Sequence, residues 1–206
     1  MSKRICVFGD SIAWGANDFD SGGWVDKFKV YFFKTGQFNE VFNLANPGDN
    51  TSMLLKRMEN ECASRMKLEN KNVNVVIIQI GINDSLSYKN SKKHTNINDF
   101  KKNLIKLLII IKKFTNKIVF IGLTKVKQSK TNPFCGNETG KCYNNKNIEK
   151  YDLAIKDFCE KNSLPFIEMF DLLNDEDLED GLHPNSEGHK KMFIRVRDFL
   201  IKNKII

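Results

Sequence analysis

With 206 residues, 41% of them apolar and 28% charged, the chain has the composition of a folded globular protein and the length for one well-buried core. Its net charge of +8 raises polyanion binding, yet only 5 of its 33 basic residues are arginine and 15 crowd into residues 86–150 against 3 acidic ones, so no specific nucleic-acid partner is expected. The longest apolar run, Leu107 to Ile111, is too short for a membrane span, and Met1-Ser2-Lys3-Arg4-Ile5 leads straight into an apolar segment, so a cytoplasmic protein is expected.

In chain order, apolar runs predict strands at Ile5–Phe8, Glu40–Leu44, Val73–Ile80, Ile118–Leu123 and Pro165–Phe170. The third, VNVVIIQI, is nearly all apolar, as a strand buried on both faces must be. Helical periodicity predicts helices near Trp24–Lys34, Ser52–Lys67, Asn98–Phe114, Ile148–Lys161 and Ser186–Lys202. Strand followed by helix throughout gives an α/β fold, a three-layer α/β/α sandwich on a five-stranded parallel sheet, with residues 1–206 as one domain. The five cysteines are scattered. Cys135 and Cys142 bracket a loop, CGNETGKC, where a disulfide or half a metal site is conceivable, but no second Cys/His pair sits at ligand spacing and free thiols are expected.

Open parallel sheets bind ligands beyond the carboxyl ends of their strands. Those positions hold Asp10-Ser11 after the first strand, Asn46-Pro47-Gly48-Asp49 after the second, and Gly81-Ile82-Asn83-Asp84 after the third. After the fifth, at the end of an acidic loop, comes Asp180-Gly181-Leu182-His183-Pro184. Each has a plain structural use as a cap or a turn. Turns alone do not explain a hydroxyl, a glycine, an amide and an acid-spaced histidine on one rim. A serine hydroxyl needs a base, and His183 suits. Asp180, three residues earlier, can hold the far ring nitrogen. The Ser11 and Gly48 backbone N–H groups and the Asn83 amide are candidate donors to a developing oxyanion. His94, in a polar stretch, is expected to be solvated, and His189, on the last helix, to be a packing or surface residue.

The blocks GDSIAWG, NLANPGDNTSMLL, GIND and DGLHPN, in that order, resemble the four signature blocks of the GDSL, or SGNH, hydrolase superfamily. The resemblance runs from Ser11 to His183. It implies a flavodoxin-like fold, Ser11 as nucleophile and oxyanion donor, Gly48 and Asn83 as further donors, and Asp180 and His183 as the rest of a triad. The thioesterase and lysophospholipase-like esterases look most similar. The chain departs from the pattern at Ile12, where leucine is usual, at Ala45, where many members have glycine, and at Asn50, where threonine is frequent. The segment Thr124–Asn147 is longer than the family minimum, and as a rim loop it is expected to bear on the acyl pocket. The expectation is a serine hydrolase cleaving small or lipid-like carboxylic esters, with lysophospholipids, acyl thioesters and acetylated sugars all open, and with no metal and no cofactor. The competing one is a non-catalytic phosphate- or ligand-binding module, which would lack any use for a triad and which has neither GxGxxG nor GxxxxGK[ST] here.

Overall fold

The apolar run at Val73 becomes the central strand of the sheet, a position with neighbours on both edges and helices on both faces that a nearly all-apolar strand suits. In the computed structural model, which describes residues 3–36, 39–66, 73–88, 94–134 and 140–206, this strand is β3, Val73–Gln79, and its last five residues are buried. It pairs in parallel with β1, Lys3–Gly9, in a register that sets Ile5 beside Val75 and Val7 beside Ile77. On the far side of β1 lies β2, Glu40–Asn43. On the far side of β3 come β5, Ile118–Ile121, and then β7, Phe166–Ile167. The order β2-β1-β3-β5-β7 is wholly parallel and reverses direction at β1, the flavodoxin-like arrangement of a doubly wound α/β fold.

Helices α2 (Trp24–Phe33) and α7 (Ser186–Lys202) pack together on one face of the sheet. On the other, α4 (Ile97–Lys112) packs against α3 (Thr51–Arg65) and α6 (Asn145–Lys161). Each turns an apolar stripe inward; on α4 it is Phe100, Leu104, Leu107, Leu108 and Ile111, spaced three and four apart. Four of the five begin on an asparagine side chain: Asn50, Asn96, Asn144 and Asn185 each accept a hydrogen bond from a backbone N–H in the first turn.

The expected core elements are present with shifted ends. β7 is much shorter than the predicted Pro165–Phe170. It is an edge strand paired on one side only, and just beyond it the Glu168 carbonyl accepts from the Arg195 guanidinium rather than from a strand. α6 starts three residues earlier than predicted, because Asn144 caps the polar Asn145-Lys146-Asn147 turn. The predicted end of the second helix, Lys67, lies outside the described residues, as does Cys135. A two-stranded antiparallel ribbon that was not anticipated pairs β4 (Ser87–Tyr88) with β6 (Lys141–Cys142). Two short helices, α1 (Ser11–Trp14) and α5 (Gln128–Thr131), complete the elements on the rim.

Candidate active site

β1 ends on Gly9, and the chain turns at once into the single turn of α1. Asp10 caps that turn, its carboxylate accepting from the Ile12 N–H at 3.0 Å, so the plain reading of Asp10 holds. Burial pushes its carboxyl up to about 7, against the pull of the Ile12 N–H and His183. With Asp10 turned inward, Ser11 faces outward, half-buried. The Ser11 Oγ lies 2.9 Å from His183 Nε2, and His183 Nδ1 lies 2.7 Å from Asp180 Oδ2. Since a carboxylate only accepts, Nδ1 carries the hydrogen and Nε2 is left as acceptor for the serine hydroxyl. The other Asp180 oxygen accepts from the backbone N–H groups of Leu182 and His183 at 2.9 and 2.8 Å. Burial alone would raise this carboxyl, but the His183 contacts and the Leu182 N–H outweigh it and hold it well below the usual carboxylate range.

Gly48 sits at φ +86, in the left-handed region, and a Cβ there would meet nothing within 4 Å. Backbone conformation, rather than space, calls for glycine here. Among the described residues, neither the Ser11 nor the Gly48 backbone N–H donates to a protein acceptor. The Asn83 side chain is held at both ends: Nδ2 donates to the Asp49 carbonyl at 2.9 Å, and Oδ1 accepts from the Tyr143 hydroxyl at 3.0 Å. Flipping the amide would set oxygen against the Asp49 carbonyl, so its second N–H keeps one direction. Beside it, Asp84 is fully buried and accepts from both the backbone N–H and the hydroxyl of Thr51, at 2.9 and 2.6 Å. It therefore ties the Asn83 loop to the N-terminus of α3, a capping role played for a helix 33 residues away.

The profile of the GDSL-like Lipase/Acylhydrolase family matches residues 7–191. The chain belongs to that family. This acylhydrolase is thus an ester-hydrolysing enzyme acting on a small-molecule ester, which sets aside the non-catalytic reading. Its fold is shared with solved structures of low sequence identity. An acetyl xylan esterase from Geobacillus stearothermophilus is 17% identical with a TM-score of 0.73, covering 96% of this chain and 94% of that one. A member of the lipolytic protein G-D-S-L family from Veillonella parvula is 15% identical with a TM-score of 0.71, covering 96% and 97%. An alpha/beta hydrolase from the metagenome of Lake Arreo, Spain, is 15% identical with a TM-score of 0.72, covering 97% and 96%. No curated protein matches the chain.

All five residues singled out in the acylhydrolase sequence, Ser11, Gly48, Asn83, Asp180 and His183, lie beyond the ends of strands of the sheet, Ser11 as the first residue of α1 and the others on loops, and the serine, histidine and aspartate are in hydrogen-bonding contact. Sequence reasoning missed Tyr143: its partner is 60 residues away, and a lone tyrosine in a Cys-Tyr-Asn-Asn stretch carries no signal of it. His94 is exposed as expected, with its Nε2 2.9 Å from the Asn50 amide. His189 is fully buried and is a polar tie rather than simple packing. Its Nδ1 accepts from the Trp24 N–H at 3.3 Å and its Nε2 donates to the Ala16 carbonyl at 3.0 Å. Cys6, Cys62, Cys142 and Cys159 are free and buried. Among the described residues no three His, Cys, Asp or Glu side chains gather as a metal site, and no helix is long and apolar enough to cross a membrane.

Proposed function

We propose that the acylhydrolase, acting as one domain over residues 1–206, cleaves carboxylic esters through an acyl-enzyme on Ser11, with His183 as base and Asp180 as its orienting partner. The observation that carries this reading is the unbroken line Ser11 Oγ, His183 Nε2, His183 Nδ1, Asp180 Oδ2, with both separations under 3 Å. His183 Nε2 takes the serine proton as Oγ attacks the ester carbonyl carbon. The resulting oxyanion accepts from the Ser11 and Gly48 N–H groups and from the free Asn83 N–H. Collapse breaks the bond to the alcohol oxygen, which leaves with the proton from His183. Water then repeats the sequence on the acyl-serine and releases the acid. Asp180, kept ionised, stabilises the imidazolium formed in each half. Small and lipid-like esters and acetylated sugars all suit this chemistry, and the last are in keeping with a structural neighbour that is an acetyl xylan esterase.

The test is a fluorophosphonate probe together with Ser11→Ala. The probe is expected to label Ser11 alone, and the variant to fold normally while p-nitrophenyl acetate turnover falls by several orders of magnitude, of the order of 10⁶. Labelling at another residue, or turnover retained in the variant, overturns the assignment.

A further inference from the structure

One turn beyond Ser11, a cleft of about 490 Å³ opens between the end of α1, the loop behind it and the end of β2. That volume is within the range of small-molecule sites. Trp14 and Phe19 line it, and their side chains are 52% and 85% exposed, an uncommon expense of aromatic surface on a folded protein. Asn17, Asp26, Asn43 and Ala45 complete the part of the lining that matters here. Ala45 directly precedes the Asn46–Asp49 loop that carries Gly48, so the cleft adjoins the candidate site on its β2 side.

The polar groups of the cleft divide into committed and free. Asp18 is committed: it accepts from Ser21, the Gly23 N–H and Ser186 and pairs with Lys27. The Asn43 amide donates to the Ala13 and Trp14 carbonyls at 3.3 and 3.4 Å and so fixes the end of α1. Asp26, half-buried, is engaged by the Asn43 side chain and lies in the field of Lys29, but has no lysine, arginine or histidine within ion-pair distance among the described residues, and the Asn17 side chain has no protein hydrogen-bond partner among them. The frame is rigid. A Cβ on Gly15 would lie 2.0 Å from the Gly22 carbonyl oxygen, so two backbones touch beneath the cleft and hold Trp14 and Phe19 apart on separate segments.

From this arrangement we infer that the cleft is a saccharide subsite, which receives the sugar portion of an ester whose acyl group sits at Ser11. A pyranose ring offers apolar C–H faces and a girdle of hydroxyls. Aromatic faces suit the first, and the free Asn17 amide with a carboxylate that can accept beyond its Asn43 contact suits the second. An acyl chain is a poor occupant, since it would strip water from Asp26 and the Asn17 amide without offering either a hydrogen bond. The inference rests on the esterase reading of Ser11 and extends it to the alcohol side of the substrate.

Tryptophan emission gives a direct readout. Trp24, the other tryptophan, is fully buried with its indole N–H on Gln79, so a ligand-induced shift reports Trp14. Titration with xylotriose is expected to give a saturable blue shift in the wild type and in Ser11→Ala. Phe19→Ala and Asp26→Asn should each weaken it about tenfold. In the same two variants the ratio of kcat/KM for acetylated xylotriose to that for p-nitrophenyl acetate should fall by a similar factor. The inference is overturned if xylotriose gives no saturable shift, if the ratio is unmoved in both variants, or if choline shifts the emission where xylotriose does not, which would make the cleft a site for a cationic headgroup. Loss of the shift alone, with Ser11-dependent cleavage of p-nitrophenyl acetate retained, sinks the subsite and spares the esterase reading. A saturable shift in a protein whose turnover survives Ser11→Ala does the reverse.

Discussion

Tyr143 and Asp10 reach the reacting groups without joining them. Burial pushes the Tyr143 phenol well above its ordinary value, so at working pH it is a donor only, and among the described residues its acceptor is the Asn83 oxygen. Tyr143→Phe leaves that oxygen buried without a partner and lets the amide turn. Steady-state kinetics should show kcat lowered by about tenfold with KM nearly unchanged, because the donor is needed most when charge develops. An effect on melting temperature alone would make Tyr143 a packing residue. For Asp10 the sign follows from its raised value. The folded protein holds a proton there up to about pH 7 that the unfolded chain releases near 3.8, so this group's contribution to stability falls as pH rises through that window. Asp10→Asn, which can still accept from Ile12, should therefore raise the melting temperature relative to wild type at pH 8 and give a smaller gain at pH 5. Ser11, Asp180 and His183 were legible in the sequence because a strand end and a three-residue spacing are local features. Tyr143 was not, since its role exists only in the fold.

Secondary elements were legible where period and length agreed. β3 and α4 announce themselves through an unbroken apolar run and a repeated three-four spacing. The β4–β6 ribbon has two residues in each strand and so no period to detect. The abundant asparagine has a local structural use in capping four helices. The exception is α2, whose N-cap is Gly23 with no side chain to offer. The buried His189 ring of α7 serves instead, accepting from Trp24 N–H while it donates to Ala16, and so fastens two helices and the α1 loop together. Burial, chiefly, lowers its affinity for a proton, although the Ala16 and Asp18 contacts oppose this. The stability it confers is present above about pH 6.5, the ordinary histidine value, and declines as pH falls below it because the unfolded chain protonates first. Thermal unfolding followed from pH 8 to pH 5 should show that decline reduced in His189→Gln, whose amide can reproduce both hydrogen bonds. An equal decline in both proteins would mean that other groups govern the acid limb.

Taken whole, the molecule is basic along α4, where Lys101, Lys102, Lys106 and Lys112 stand against Asp99 alone, and acidic around the Asp175–Asp177 turn. Lysines on helix surfaces give a diffuse field without forked contacts, so a short DNA duplex should bind only at low salt and be released by about 0.2 M, as measured by fluorescence anisotropy. Retention above that would reveal a dedicated polyanion site. The β4–β6 ribbon has a different reach. It binds the loop that follows β3, with Asn83, to the long segment after β5, with Tyr143 placed directly after Cys142. The long segment, expected from sequence to bear on the acyl pocket, thereby supports the Asn83 amide, the proposed oxyanion donor. On the proposed mechanism, breadth of substrate and speed of turnover are consequently coupled in this enzyme. Grafting a shorter loop from a relative to widen the pocket would remove the phenol with the insertion, and any diversification of this lineage by loop exchange has to carry a replacement for it.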